Sequence, residues 1–200
     1  MQPVRRRLLF AVITLAGFAH AASITDAERK AVLDYLERTR TKLLEETSNL
    51  TAEQWRFKSS PDRWSIAECV EHIGVTEQSI LARLKMSLKE EAPAKLDPKK
   101  DAVLMRFMPD RSRKATAPEE VAPKSRFATA AEAIAFFEKA RAATTAYATS
   151  TQDDLRAHGF PHFAFGDLDA YQWLILLPAH CERHTKQILE VKADPGFPRP

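Results

Sequence analysis

Two histidines, His180 and His184, stand four residues apart near the C-terminal end of a 200-residue chain. On a helix that turns 100° per residue, with Trp173 at zero, Leu177, His180, His184, Ile188 and Val191 fall at about 40°, 340°, 20°, 60° and 0°. The histidine pair therefore lies inside the apolar stripe, one ring above the other. A buried imidazole needs partners for its ring nitrogens. Two of them stacked on a core face require either two sets of hydrogen bonds or one shared metal ion, and i, i+4 is a spacing that divalent metals use on a helix. The intervening Glu182 does not complete a zincin motif, in which the glutamate directly follows the first histidine. It projects about 200° around from His180 and reads as a solvated surface residue.

The elements that must carry these residues are helical. Thr25-Asp-Ala-Glu28 forms a capping-box pattern ahead of Val32, Leu33, Leu36, Leu43 and Leu44 at helical spacing, with an end near Asn49. Ser65-Ile-Ala-Glu68 opens a second long helix to about Glu90, with Ile66, Cys69, Val70, Ile73, Ile80, Leu84 and Leu88 on its apolar side. From Glu91 to Arg126 the periodicity dissolves, punctuated by Pro93, Pro98, Pro109, Pro118 and Pro123. That length predicts a crossover or flap with one short ordered piece around Val103 to Met108. Thr129 caps an alanine-rich third helix to about Ser150, and Asp167 is the expected cap of a fourth, reaching about Lys192. The segment from Gly159 to Gly166 reads as an irregular aromatic connection, with no convincing strand pair. Four long helices and one long crossover predict an all-α four-helix bundle.

The N-terminus is a separate unit. Arg5, Arg6 and Arg7 precede an apolar run from Leu8 to Phe18, and Ala19-His20-Ala21 follows as a small-x-small cleavage site. This pattern predicts a signal peptide over residues 1–21 and an exported protein, periplasmic or secreted, with no membrane span after cleavage. A bundle domain over 22–194 and a proline-rich tail over 195–200 complete the division. Without the leader's three arginines, the 30 basic residues fall to 27 and equal the 27 acidic ones. The basic balance thus belongs to the leader, and nucleic acid is excluded as a partner.

Trp64-Ser65-Ile-Ala-Glu68-Cys-Val-Glu-His72-Ile-Gly-Val-Thr-Glu77 resembles the second-helix signature of the DinB-like (YfiT-like) superfamily. His162-Phe-Ala-Phe-Gly166, a helix start, and His180-Cys-Glu-Arg-His184-Thr-Lys-Gln187-Ile188 resemble its second half. The resemblance spans most of the chain outside the crossover. It implies up-down-down-up connectivity, with the crossover between the second and third long helices. It also implies a divalent metal held by three histidines, His72, His180 and His184. Helical geometry alone does not select His72, which lies on the flank of its helix's apolar stripe. Three imidazoles leave coordination positions open, to acidify a water or to bind a thiolate. They suit zinc, nickel or iron(II) and also copper, so the ligands do not name the metal.

Members of that superfamily include thiol-dependent transferases and isomerases. The expected activity is accordingly that of a metal-dependent hydrolase or a thiol-dependent transferase acting on a small-molecule substrate. An oxidising compartment favours hydrolysis over the use of low-molecular-weight thiols. The alternatives are a non-catalytic metal-binding or interaction bundle of the envelope, and a purely structural bundle with core histidines. No conventional general base stands out to decide among them, and a homodimer is left open. Cys69 and Cys181 each lie near a candidate ligand and carry three readings: small buried hydrophobes, a disulfide, or a fourth metal ligand. His162 is read as a helix-start residue without a metal role and His158 as a loop residue. Trp55, Trp64 and Trp173 are core or rim anchors. Glu68 is a cap, and Glu77 lies on a solvated face or, alternatively, backs the metal site.

Overall fold

A computed structural model describes residues 24–93 and 96–199, so the predicted leader lies outside the described residues. Four long helices dominate: α1 (Asp26–Thr47), α3 (Ile66–Ser87), α5 (Ala130–Ser150) and α6 (Ala170–Lys192). Two short ones, α2 (Ala52–Arg56) and α4 (Lys100–Phe107), lie in the connections. Each long helix starts where a side chain satisfies the free amides of its first turn. Thr25, Ser65, Thr129 and Asp169 each accept from the third residue on, whose own side chain reaches back. α1 ends as the chain turns through Asn49 at φ +57°, a left-handed position that asparagine tolerates.

The bundle runs up-down-down-up. α1 packs against α5 and α6, and α3 packs against the same two helices. α3 and α5 run side by side in the same direction, with Gly74 beside Phe136 and Glu77 beside Arg141, so the connection between them is the long crossover, and its α4 lies against α6. That short helix occupies the place predicted around Val103 to Met108. One core cluster gathers Val32, Leu36, Leu84, Leu174 and Leu177. A second gathers Leu43, Trp55, Ile66, Val70, Phe137 and Ile188. At Gly74 an added Cβ would stand 3.0 Å from the Phe136 ring and 3.3 Å from the Phe137 backbone, so α3 and α5 approach closely there. No helix among the described residues is long and apolar enough to cross a membrane.

Three features differ from the sequence reading. First, the aromatic connection is a hairpin. β1 (Gly159–His162) pairs antiparallel with β2 (Gly166–Asp169), with Phe160 opposite Leu168 and His162 opposite Gly166. Gly166, at φ +67°, supplies the reversal. Strands of four residues offer too few alternations for a period-two signal to emerge. Second, the cap of α6 is Asp169, which accepts from Gln172 N at 2.7 Å, while Asp167 lies within β2. Third, Glu77 is neither solvated nor behind the histidines.

Glu77 is 2 % exposed and takes two hydrogen bonds from Arg141, from Nε at 2.6 Å and Nη2 at 2.8 Å. Arg141 donates further to the Leu36 carbonyl and to Thr39 Oγ1, joining α3, α5 and α1 through one buried guanidinium. The desolvation of such a pair is offset only while both partners are present. Glu77→Leu should therefore lower unfolding free energy by about 3–5 kcal/mol, because it strands a buried charge. In denaturant unfolding, Glu77→Leu with Arg141→Met should recover most of that loss.

Candidate metal centre

α3 presents His72 and α6 presents His180 and His184 at the contact between the two helices. Their exposures are 3 %, 8 % and 7 %. One ring nitrogen from each comes together with the others within 4.8 Å. The structure thus brings together all three residues singled out in the sequence. His72 Nε2 stands 3.0 Å from His180 Nε2, and the His184 ring lies 4.6 Å from His72 and 4.5 Å from His180 between centroids.

The outer nitrogens decide the tautomers of two rings. His72 Nδ1 lies 2.8 Å from the Val121 carbonyl, which can only accept, so Nδ1 carries the proton. His184 Nδ1 lies 2.9 Å from Gln187 Oε1 and donates to it. Both neutral rings then turn a bare Nε2 inward, toward the shared space between the three rings. Burial holds His72 below the ordinary histidine pKa and holds His180 and His184 well below it, with the neighbouring histidines and Arg183 or Arg111 adding repulsion at the latter two. All three are therefore neutral at pH 7. One proton could bridge His72 and His180, but it could not also serve the third ring. Two nitrogens each about 2.0–2.1 Å from one ion stand roughly 2.9–3.4 Å apart, so the donor set and the 3.0 Å contact fit a shared transition metal.

The surroundings bury the site. The Trp64 ring stacks on His184 at 5.7 Å and tilts against His72 at 4.8 Å, a rim anchor as its type predicts. The two cysteines are free and fully buried, and burial raises both thiol pKa values. Neither belongs to the three-histidine group, and Cys181 Sγ faces the Thr39 carbonyl at 3.7 Å. The bland reading of these residues is the one the structure shows. Glu182 is half-exposed and occupied by the Tyr35 hydroxyl at 2.8 Å and by Lys186. Glu68 completes the α3 capping box by accepting from the Ser65 amide.

The chain belongs to the DinB superfamily. Its sequence model matches residues 35–188, most of the bundle. YuaE of Bacillus subtilis (strain 168), an uncharacterized protein, is 26 % identical over 147 residues, which cover 74 % of this chain and 88 % of YuaE. The solved structure of YfiT from Bacillus subtilis, described as a probable metal-dependent hydrolase with an unusual four-helix bundle topology, matches with a TM-score of 0.59 at 21 % identity. That match covers 88 % of this chain and 92 % of YfiT. At that identity YfiT establishes the fold.

Sequence reasoning missed what surrounds the histidines: Val121 and Arg111 from the crossover, the anchoring role of Glu71 beside His72, and the role of Gln187. Only Gln187 carried a usable signal, because it sits at i+3 from His184. His162 also needs correction. It belongs to β1, where its Nδ1 accepts from Ala164 N at 3.0 Å and Phe165 N at 3.3 Å. The hairpin folds its ring against Trp173, and burial lowers its pKa from 6.5 to about 4. Between those values the unfolded chain binds a proton that the folded one refuses, so stability is full above pH 6.5 and is lost as pH falls toward 4. Melting temperature should drop across that window. His162→Asn, which keeps a side-chain acceptor without titrating, should flatten part of the slope, the remainder coming from the other buried histidines.

Proposed function

We propose that this protein is an exported metal-dependent hydrolase that holds one divalent transition metal through His72, His180 and His184. The observation that carries the reading is the convergence, in a buried helix interface, of three imidazoles whose ring nitrogens lie within 4.8 Å. YfiT, described as a probable metal-dependent hydrolase, shares this fold and supports the class of activity. Zinc, nickel and iron(II) all suit the donor set.

Held by three protein ligands rather than four, such an ion keeps positions open and would supply Lewis acidity to a water or to a substrate oxygen. The chain's own residues do the rest. Val121 and Gln187 hold the proton on the outer nitrogen of His72 and His184, which keeps the inner nitrogen a ligand. Trp64 packs against His72 and His184 and covers one side of the site. Arg183 adds positive charge near His184 and His180, a setting that favours negative charge developing on a substrate, while the charge of Arg111 is already paired with Glu190. Export rests on the arginine-rich leader and its small-residue cleavage site, and it favours hydrolysis over thiol transfer. The deep burial of the rings favours a second reading, a metal-binding bundle without catalysis.

Elemental mass spectrometry on protein purified without chelator tests the common ground of both. We expect about one equivalent of transition metal per chain, abolished in His184→Ala, which retains the helical circular dichroism signal. Hydrolysis of aryl esters, amides or phosphoesters by the loaded protein, removed by chelation, would separate the enzyme from the binding protein. No metal after reconstitution with zinc, nickel or iron(II) would leave the histidines as core residues.

A further inference from the structure

The crossover supplies the outer contacts of the histidine site. Val121, whose carbonyl holds His72 Nδ1, belongs to it. Arg111, also in the crossover, donates through Nη1 to Gln187 Oε1 at 3.1 Å, the same oxygen that accepts from His184 Nδ1. A guanidinium has no acceptor, so Arg111 dictates which end of the Gln187 amide faces inward. With the oxygen inward, His184 must carry its proton on Nδ1 and present a bare Nε2. If the amide turned over, its NH2 would donate to Nδ1 and move the ring proton to Nε2, where a ligand lone pair is needed.

The same segment is pinned at both ends. Glu71, 3 % exposed and adjacent in sequence to His72, accepts from Lys124 N at 2.6 Å, Arg126 N at 3.1 Å and Arg126 Nη1 at 2.5 Å. Ser125, at φ +55°, turns the two flanking amides onto that one carboxylate. At the other end Arg111 pairs with Glu190 at 2.7 and 2.8 Å, and Arg183 donates to the carbonyls of Asp110 and Arg113. Between these anchors, from 111 to 126, the chain has no helix or strand. Its seating therefore rests on these few bonds and on the contact with His72.

We propose that seating of the crossover and metal binding are one coupled equilibrium, with Arg111, acting through Gln187, and the Val121 carbonyl as positioning groups that set the tautomers of His184 and His72. The inference rests on the metal-site reading above. A bound metal fixes both rings and so holds the crossover down, and an unseated crossover releases both rings and weakens the metal, by the reciprocity of linkage. Arg111 reaches His184 only through Gln187. A glutamate there has no donor face, so it keeps His184 in the ligand tautomer even without Arg111.

Zinc affinity by competition with a chromogenic chelator, together with tryptic cleavage at Arg113, Lys114, Lys124 and Arg126, tests this. Arg111→Met and Gln187→Leu should each weaken zinc by roughly 10- to 100-fold, the range for removing a partner of a ligating histidine. Glu71→Gln, which unpins the far end without touching a ligand, should weaken it in the same direction. Adding Gln187→Glu to Arg111→Met should restore affinity, a rescue that a merely structural role for Arg111 would not give. Zinc should slow cleavage in the wild type, and less so in Glu71→Gln. Wild-type zinc affinity in both Arg111→Met and Gln187→Leu, or a cleavage rate indifferent to zinc in a wild type that binds it, would overturn the coupling and leave the metal site standing. A wild type that binds no zinc, nickel or iron(II) would overturn the metal reading itself, and the coupling with it.

Discussion

Three imidazole rings share one small volume inside this bundle, and each brings nitrogens that must be satisfied away from water. That requirement organises what surrounds them. Burial removes their charge: it outweighs the Glu71 carboxylate at His72, and neighbouring histidines and arginines add repulsion at His180 and His184. Neutral rings have one donor and one acceptor each. Spending the donors of His72 and His184 outward, on Val121 and Gln187, leaves lone pairs pointing inward, which suits a cation better than it suits any arrangement of protons.

The bundle meets this demand by dividing its polar work. On one side of α3, Glu77 and Arg141 tie three helices together with a buried ion pair that takes no part in the site. Elsewhere on the same helix, Glu71 pins the crossover and His72 faces α6. Three buried polar residues on one α-helix thus serve three different tasks within two turns. The crossover, irregular for much of its length, is held by side chains from α3 and α6 rather than by a ladder of its own. Its cost in ordering is offset by contacts that also orient two of the three histidines.

Much of this was legible in the residue pattern. Capping boxes at Thr25 and Ser65 located α1 and α3, because a cap is a local interaction written within four residues. The His180–His184 pair was legible for the same reason, since one helix sets both positions. His72 was not selected by geometry, as its partner rings lie more than a hundred residues away, and the family resemblance supplied it. The hairpin at 159–169 escaped because four-residue strands carry almost no periodicity and because its aromatic residues pack on Trp173 rather than alternate with water. Glu77 was misread because an acidic residue on a helix flank looks solvated until the opposing Arg141 is in place. The roles of Glu71, Arg111 and Val121 escaped because the crossover, to which the last two belong and which Glu71 anchors, has no pattern from which to place it.

His72, His180 and His184 are proposed to ligate one transition metal together. X-ray absorption on the zinc-loaded protein examines that bond directly. The account predicts three imidazole nitrogens in the first coordination sphere at about 2.0–2.1 Å, with two in His72→Ala. A sphere built of oxygen or sulfur alone, or one unchanged by His72→Ala, would contradict it and return the three rings to the hydrophobic core.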